Sequence, residues 1–222
     1  MKESSLHAAL KERLSQPDDQ LESLVDGYII DIVHNDHLIE IQTGNFSSLK
    51  TKLPALLENH PTCLVYPIPM EKWIVRLPDQ DKSLELRRKS PKRGRLEHLF
   101  VEMVRIPHLP IHPNFSLVVL MTQEEEIWKN DGKGSWRRRG WSIKDRRLLD
   151  ILECYVFNSL KDYLSLVPED LPSTFTIHQL SARLKVPYNL ASKMVYCLRK
   201  MGLIDKFAKQ GRSTLYTLST DQ

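Results

Sequence analysis

Three acids, Glu22, Asp31 and Glu40, stand at equal spacing with a two-residue turn signal midway between each pair: Asp26-Gly27, then Asn35-Asp36. Asp-Gly is a strong hairpin signal because both central residues of a type I′ turn need positive φ. With hairpins at both places, Val25 faces Tyr28 and His34 faces His37. Counting outward sets Glu22 opposite Asp31 and Asp31 opposite Glu40, one row of carboxylates across three strands. Like charges directly opposite one another destabilise a sheet. Such a row calls for a cation, and hard oxygen ligands suit Mg²⁺ or Mn²⁺. Gln42 lies two residues past Glu40, on the same face by strand alternation. A four-residue loop from His34 to His37 leaves the pairing unchanged, whereas a one-residue slip sends Glu40 to the other face. The plainer alternative is one or two solvated carboxylates on a half-exposed sheet.

The elements that must hold these residues follow from the pattern around them. Leu6 to Leu14 reads as a short helix, stopped by Gln16-Pro17-Asp18-Asp19. Strands are expected over Gln20–Val25, Tyr28–Val33 and His37–Gln42, with Asp31 a lone acid in a largely apolar strand. An unpartnered buried carboxylate is costly, which again favours a metal or a neighbouring base. Leu49, Leu53, Leu56 and Leu57 recur at helical spacing, with Asn45 or Ser47 as cap and Pro54 as a kink. Thr62–Tyr66 and Lys72–Leu77 read as two further strands and Phe115–Met121 as a central one, with Glu124-Glu125-Glu126 as its solvated end. The fold class is therefore α/β, a sheet with helices on its faces.

The tract Asp31, eight residues, then Glu40-Ile41-Gln42 resembles the active-site strands of the PD-(D/E)XK nuclease-like superfamily. Val25 to Asp31, Leu38 to Phe46, Leu64 to Ile68 and Lys72 to Arg76 are similar to a poorly characterised prokaryotic branch of it. The resemblance covers about the first 125 residues and implies a restriction-endonuclease-like mixed sheet flanked by helices. It implies that Asp31 and Glu40 hold Mg²⁺ or Mn²⁺, with Glu22 as the upstream acid and Glu12 as its runner-up. The metal would activate water against a phosphodiester. Gln42 stands where the family has Lys and brings no charge. Some relatives use Gln there; others supply a Lys from the next helix. Lys50 and Lys52 are the candidates here, and solvated helix lysines are the other reading of them.

The basic residues fall in three places. Arg87 to Arg95 holds six Lys or Arg in nine residues, including Arg87, Arg88, Lys92 and Arg93, in a predicted loop that either grips phosphates or is simply solvated. Residues 126–144 read as a basic aromatic linker around Trp136-Arg-Arg-Arg-Gly-Trp141, suited to stacking on bases or to pinning a linker by cation–π contact. From Ser142 to about Leu166 apolar residues suggest a long helix opening a second module over 145–222. In that module a short helix from Thr176, a Val186-Pro187 turn, a helix over Asn189–Met201 and a hairpin around Lys209–Ser213 resemble a winged helix-turn-helix domain. Asn189, Lys193, Tyr196 and Lys200 line one helix face suited to a major groove, and Arg212 sits at the wing tip. DNA is the implied partner. His108 and His112, in a proline-rich loop, read as no metal site.

Net charge is only +4, yet residues 172–222 hold eight Lys or Arg against two Asp. A basic module on a nearly neutral body fits a polyanionic partner. No apolar run approaches the ~18 to 20 residues that span a membrane. Cys63, Cys154 and Cys197 are far apart and fit neither a disulfide framework nor zinc, so the cytoplasm is the expected compartment. Two rivals to a nuclease remain open: a DNA-binding regulator that keeps the fold without catalysis, and a protein-binding adaptor. A homodimer would suit double-strand cleavage.

Overall fold

In the computed structural model the described residues are 4–77 and 86–219, excluding the side chain of Arg137. Helix α1 (Ser5–Leu14) leads into a meander of β1 (Gln20–Val25), β2 (Tyr28–His34) and β3 (His37–Ile41). The two turns set the register: Val25 pairs with Tyr28 and His34 with His37. Asp26 and Gly27 take φ of 48° and 83°, and Asn35 takes 52°. Helix α2 (Leu49–Leu57) then crosses to β4 (Thr62–Arg76), which runs parallel to β3. Pro54 is accommodated within α2. Strand β5 (Leu86–Lys89) returns along β4, and α3 (Leu99–Met103) leads to β6 (Phe115–Asn130), parallel to β4. Strand β7 (Trp141–Phe157) closes the far edge antiparallel to β6. The sheet order is β1-β2-β3-β4-β6-β7, with β5 also on β4.

The expected strands Thr62–Tyr66 and Lys72–Leu77 are one continuous strand despite Pro67 and Pro69. The prolines fall between the last β3 pair, Ile41 with Val65, and the first β5 pair, Trp73 with Lys89. In that interval β4 has one neighbour strand, and a proline without an N–H leaves no ladder bond missing on the open side.

Helices cover both faces. Leu6 and Leu10 of α1 pack on Ile32, Ile41, Val65 and Leu120. On the other face Leu49, Leu53, Leu99 and Phe100 pack on Leu64, Leu117, Val119 and Met121. The same cluster continues into the C-terminal module through Phe175, Leu180, Met194 and Leu198. That module runs α4 (Leu160–Leu164), β8 (Thr174–Phe175), α5 (Ile177–Leu184), α6 (Tyr188–Lys200), β9 (Ile204–Gln210) and β10 (Ser213–Leu218). Its strands form a three-stranded sheet in the order β8-β10-β9. Helix α6 packs against α3 as well as α5, so the module sits on the body.

Two expectations are corrected. The predicted helix from Ser142 is strand β7, and the 126–144 linker is the tip of the β6–β7 hairpin. The misleading signal has a physical origin. Leu149 and Leu152 are bulge residues: Leu148 pairs with Glu124, Asp150 with Gln123, Ile151 with Thr122 and Glu153 with Met121. Each bulge inserts one residue and resets the alternation, so inward Leu148 and Ile151 stand three apart and imitate a helix. Among the described residues no helix is long and apolar enough to cross a membrane.

Candidate acid site and basic surfaces

The β2–β3 ladder runs from His34–His37 to Ile32–Ile39 and opens there, while the parallel β3–β4 ladder, which begins at Leu38–Thr62, continues through Glu40–Leu64 to Ile41–Val65. Asp31 and Glu40 occupy the wedge. The Ile41 N–H donates to Asp31 Oδ2 at 2.7 Å, replacing a strand-to-strand bond with a carboxylate contact. His7 of α1 brings Nε2 to 3.3 Å from Asp31 Oδ1. Lys52 of α2 donates from Nζ to Glu40 Oε2 and to the Ile29 carbonyl, each at 2.6 Å. The two acid side chains are 17% and 10% exposed, so one helix from each face delivers a nitrogen base to a nearly buried pair.

The two carboxyls are driven apart electrostatically. Burial pushes Asp31 upward, but the His7 contact and the Ile41 N–H outweigh it and hold the group below the usual range. Glu40 goes the other way. Burial raises it, the Asp31 charge adds to that, and the Lys52 hydrogen bond only partly compensates. The two carboxyls thus stand on opposite sides of their ordinary values.

The expected third acid is elsewhere. Glu22 lies between the pairs Leu21–Ile32 and Ser23–Ile30, but its φ is 50° and it makes no ladder pair with Asp31. Its carboxylate turns out to Lys11 Nζ at 2.5 Å and is 62% exposed. The row of three is thus a pair plus a displaced acid. A left-handed backbone at one residue re-aims a side chain without changing the register on either side. Glu12 is exposed, and Lys50 points to solvent. Gln42 donates to the Asn45 carbonyl at 2.8 Å and Ser48 Oγ at 3.3 Å, bracing the loop into α2.

Residues that the sequence reasoning missed stand at this wedge and along the strands beyond it. His7 and Lys11 stand one helical turn apart beside the buried Leu6 and Leu10, a spacing that could have flagged them. Glu124 is fully buried. It accepts from Arg146 at 3.1 and 2.8 Å and from Thr122 at 2.8 Å, while Arg146 also holds the Thr43 carbonyl at 2.7 Å. Glu126 pairs with Lys72 at 2.6 Å and accepts from Trp128 at 3.0 Å. The solvated strand end is therefore a buried ion-pair ladder.

The basic run at 87–95 is partly a strand and largely neutralised. Arg87 meets Glu125 and Lys89 meets Glu71, each at 2.6 Å, and Arg93 lies 3.8 Å from Glu71. Arg88 and Lys92 are exposed without an ion pair among the described residues. The C-terminal module contrasts sharply. Asn189, Lys193, Tyr196 and Lys200 share one side of α6, and Arg212 is exposed on the β9–β10 turn. None of these cations has a carboxylate partner among the described residues. Helix α6 is buried more widely than one apolar face requires, because Ala191 and Val195 are buried together with Leu190, Met194 and Leu198. The polar side left open is a narrow stripe. His112 Nδ1 accepts the Asn114 N–H at 3.2 Å, a loop contact. Among the described residues no group of three or more His, Cys, Asp or Glu is arranged to hold a metal ion.

Comparison with known proteins places the chain in a family. It is 31% identical over 222 residues to an uncharacterized protein of Treponema pallidum (strain Nichols), covering 97% of this chain and 85% of the relative. No solved structure matches. The family model described as "Domain of unknown function (DUF8091)" matches residues 4–158, the seven-stranded sheet and its helices up to the end of β7. The chain belongs to the DUF8091 family.

Proposed function

We propose that this protein is a metal-dependent nuclease-like phosphodiester hydrolase that acts on DNA. In this reading the sheet is a restriction-endonuclease-like core of the PD-(D/E)XK kind and the C-terminal module is a winged helix-turn-helix. The observation that carries it is the Asp31–Glu40 wedge with Lys52 on Glu40. A helix lysine stands at the acid pair and supplies the positive charge that Gln42 lacks. Asp31 and Glu40 would hold Mg²⁺ or Mn²⁺, and two carboxylates are enough, because Mg²⁺ takes one or two together with waters and substrate phosphate. Burial chiefly raises the Glu40 carboxyl and the Asp31 charge adds to it, and a divalent ion would relieve that repulsion. The ion would supply Lewis-acid polarisation of the phosphodiester. Lys52 would donate to a phosphate oxygen as negative charge develops, and His7 would hold Asp31 ionised and oriented.

The electrostatics of the surface support a DNA partner. Several cations on the body, among them Arg87, Lys89 and Arg146, are matched with carboxylates, whereas Lys193, Lys200 and Arg212 on α6 and the β9–β10 turn have no carboxylate partner among the described residues. Unmatched cations can exchange counterions for phosphates at no internal cost. Three free thiols suit the cytoplasm, and a dimer would allow cleavage of both strands. Two observations favour the regulator reading instead: the Gln42 amide is committed to Asn45 and Ser48, and Glu22 is drawn out to Lys11.

The test is cleavage of single-stranded, duplex and branched DNA with Mg²⁺ or Mn²⁺, comparing wild type with Asp31→Asn, Glu40→Gln and Lys52→Gln. Metal-dependent cutting lost in the two acid variants supports the hydrolase. Tight DNA binding without cutting by wild type, with either metal, transfers the reading to the regulator.

A further inference from the structure

The C-terminal module holds a cavity that neither the acid site nor the open side of α6 uses. Strand β8 leads directly into α5: Phe175 pairs with Tyr216 of β10, and Thr176 caps the helix. That pairing runs β10 past the start of α5, so that Arg212, Ser213 and Thr214 line the same hollow as Thr176. On its other side His178 of α5 stacks on Tyr188, the first residue of α6, with ring centroids 4.6 Å apart. The hollow between them has a volume of about 290 Å³.

Its walls carry one guanidinium, one imidazole and five hydroxyls, and no carboxylate. Two other cavities of the module differ. One sets Glu169 with Lys161 among apolar groups, and the other holds Asp170, which is paired with Arg183. Thr176 Oγ1 is committed to the Gln179 N–H at 3.2 Å. The hydroxyls of Tyr188, Ser213 and Thr214 make no hydrogen bond among the described residues. His178 and Arg212 are exposed and meet no carboxylate among the described residues. Hydroxyls at a surface are ordinarily satisfied by water. What distinguishes this cavity is that a guanidinium and an imidazole share it with them and no acid neutralises either.

We infer that this cavity binds a phosphate monoester, with Arg212 and His178 on the phosphate oxygens and the Tyr188, Ser213 and Thr214 hydroxyls completing the set. A monoester brings about −1.5 to −2 charge and three strong acceptor oxygens, and the guanidinium fork suits them with charge-assisted bonds. A diester within a strand leaves fewer oxygens free and continues in both directions, so an end fits an enclosed hollow better. The volume lies at the lower limit of ligand pockets, ~300–1,000 Å³, room for a phosphate and the sugar behind it. Two sources carry this group, the 5′ end of a DNA strand and a free nucleotide. The site needs neither metal nor cleavage, and for a DNA end it rests on the nucleic-acid reading of the protein.

The experiment uses the full chain with metal chelated. Anisotropy compares one fluorescent single-stranded oligonucleotide bearing a 5′-phosphate with the same strand bearing a 5′-hydroxyl. Thermal unfolding compares thymidine 5′-monophosphate with thymidine at equal ionic strength. For a DNA end, the 5′-phosphate should raise affinity on the order of ten- to one-hundred-fold. Arg212→Gln and His178→Ala should each cut that ratio on the order of fivefold or more. Lys193→Gln should weaken both oligonucleotides and keep the ratio. For a free nucleotide, the monophosphate should raise the Tm of wild type and not of Arg212→Gln, and thymidine should raise neither. The inference is overturned if the phosphate changes neither affinity nor Tm, or if whichever effect is seen survives both Arg212→Gln and His178→Ala. If neither oligonucleotide binds but the monophosphate raises the Tm through Arg212, the DNA reading falls and this site stands. If both oligonucleotides bind alike and the monophosphate has no effect, this inference alone falls.

Discussion

Truncating Arg146 to alanine tests whether the buried ion pair under the arm organises the site. The guanidinium gives Glu124 Oε2 two hydrogen bonds at 3.1 and 2.8 Å and braces the Thr43 carbonyl at 2.7 Å. Without it, a carboxylate of zero exposure keeps only the Thr122 hydroxyl on Oε1. Breaking a buried pair at one partner costs about 3–5 kcal/mol, most of it the stranded charge. The Arg146 side chain is 25% exposed, so water can enter the vacated side, which places the cost near ~3 kcal/mol. For a chain of this length that is a fall in Tm of roughly 6–12 °C. The assay is urea unfolding of wild type, Arg146→Ala, Glu124→Gln and the double variant. Arg146→Ala should be the least stable. Adding Glu124→Gln should recover about half of the loss, because the stranded charge is gone. A loss below about 1 kcal/mol for Arg146→Ala would refute the claim that Glu124 is an uncompensated charge without it.

The other predictions concern the acid site, the surfaces and pH. Lys52→Gln should slow metal-dependent cleavage on the order of 10²-fold while DNA affinity stays within twofold, read by single-turnover kinetics and anisotropy. Lys193→Ala/Lys200→Ala should lower the duplex-binding salt slope by about 1.8, whereas Arg87→Ala should leave it unchanged because Glu125 already neutralises that cation. Asp145 accepts from the Ser5 N–H and hydroxyl and from the Arg146 N–H. Desolvation pushes its carboxyl up, but these bonds outweigh it and hold the group below the usual carboxylate range. A depressed carboxyl stabilises the fold above its unfolded pKa and loses that contribution as pH falls through the folded value. Wild type should therefore exceed Asp145→Asn in thermal stability at neutral pH, and the gap should close only below about pH 4.

The acids and their register were legible because hairpin turns act locally. Asp26-Gly27 and Asn35-Asp36 set the pairing of Val25 with Tyr28 and His34 with His37, and that pairing put Asp31 beside Glu40. The two helices and the hairpin of the last fifty residues were legible for the same reason: caps, turns and apolar spacing are short-range signals. The reading failed where a backbone irregularity intervened. Positive φ at Glu22 swung one acid out of the row, and bulges at Leu149 and Leu152 gave a strand the apolar spacing of a helix.

What the sequence determined by itself was thus most of the local elements, β7 excepted, and the adjacency of two of the three acids. Only the tertiary structure decided which charges meet. That Lys52 rather than Lys50 reaches Glu40, that His7 reaches Asp31, and that Glu124 is buried on Arg146 all depend on how helices and distant strands pack. The energy of a charge depends on its burial and on partners remote in the chain, and neither is written in the residues beside it.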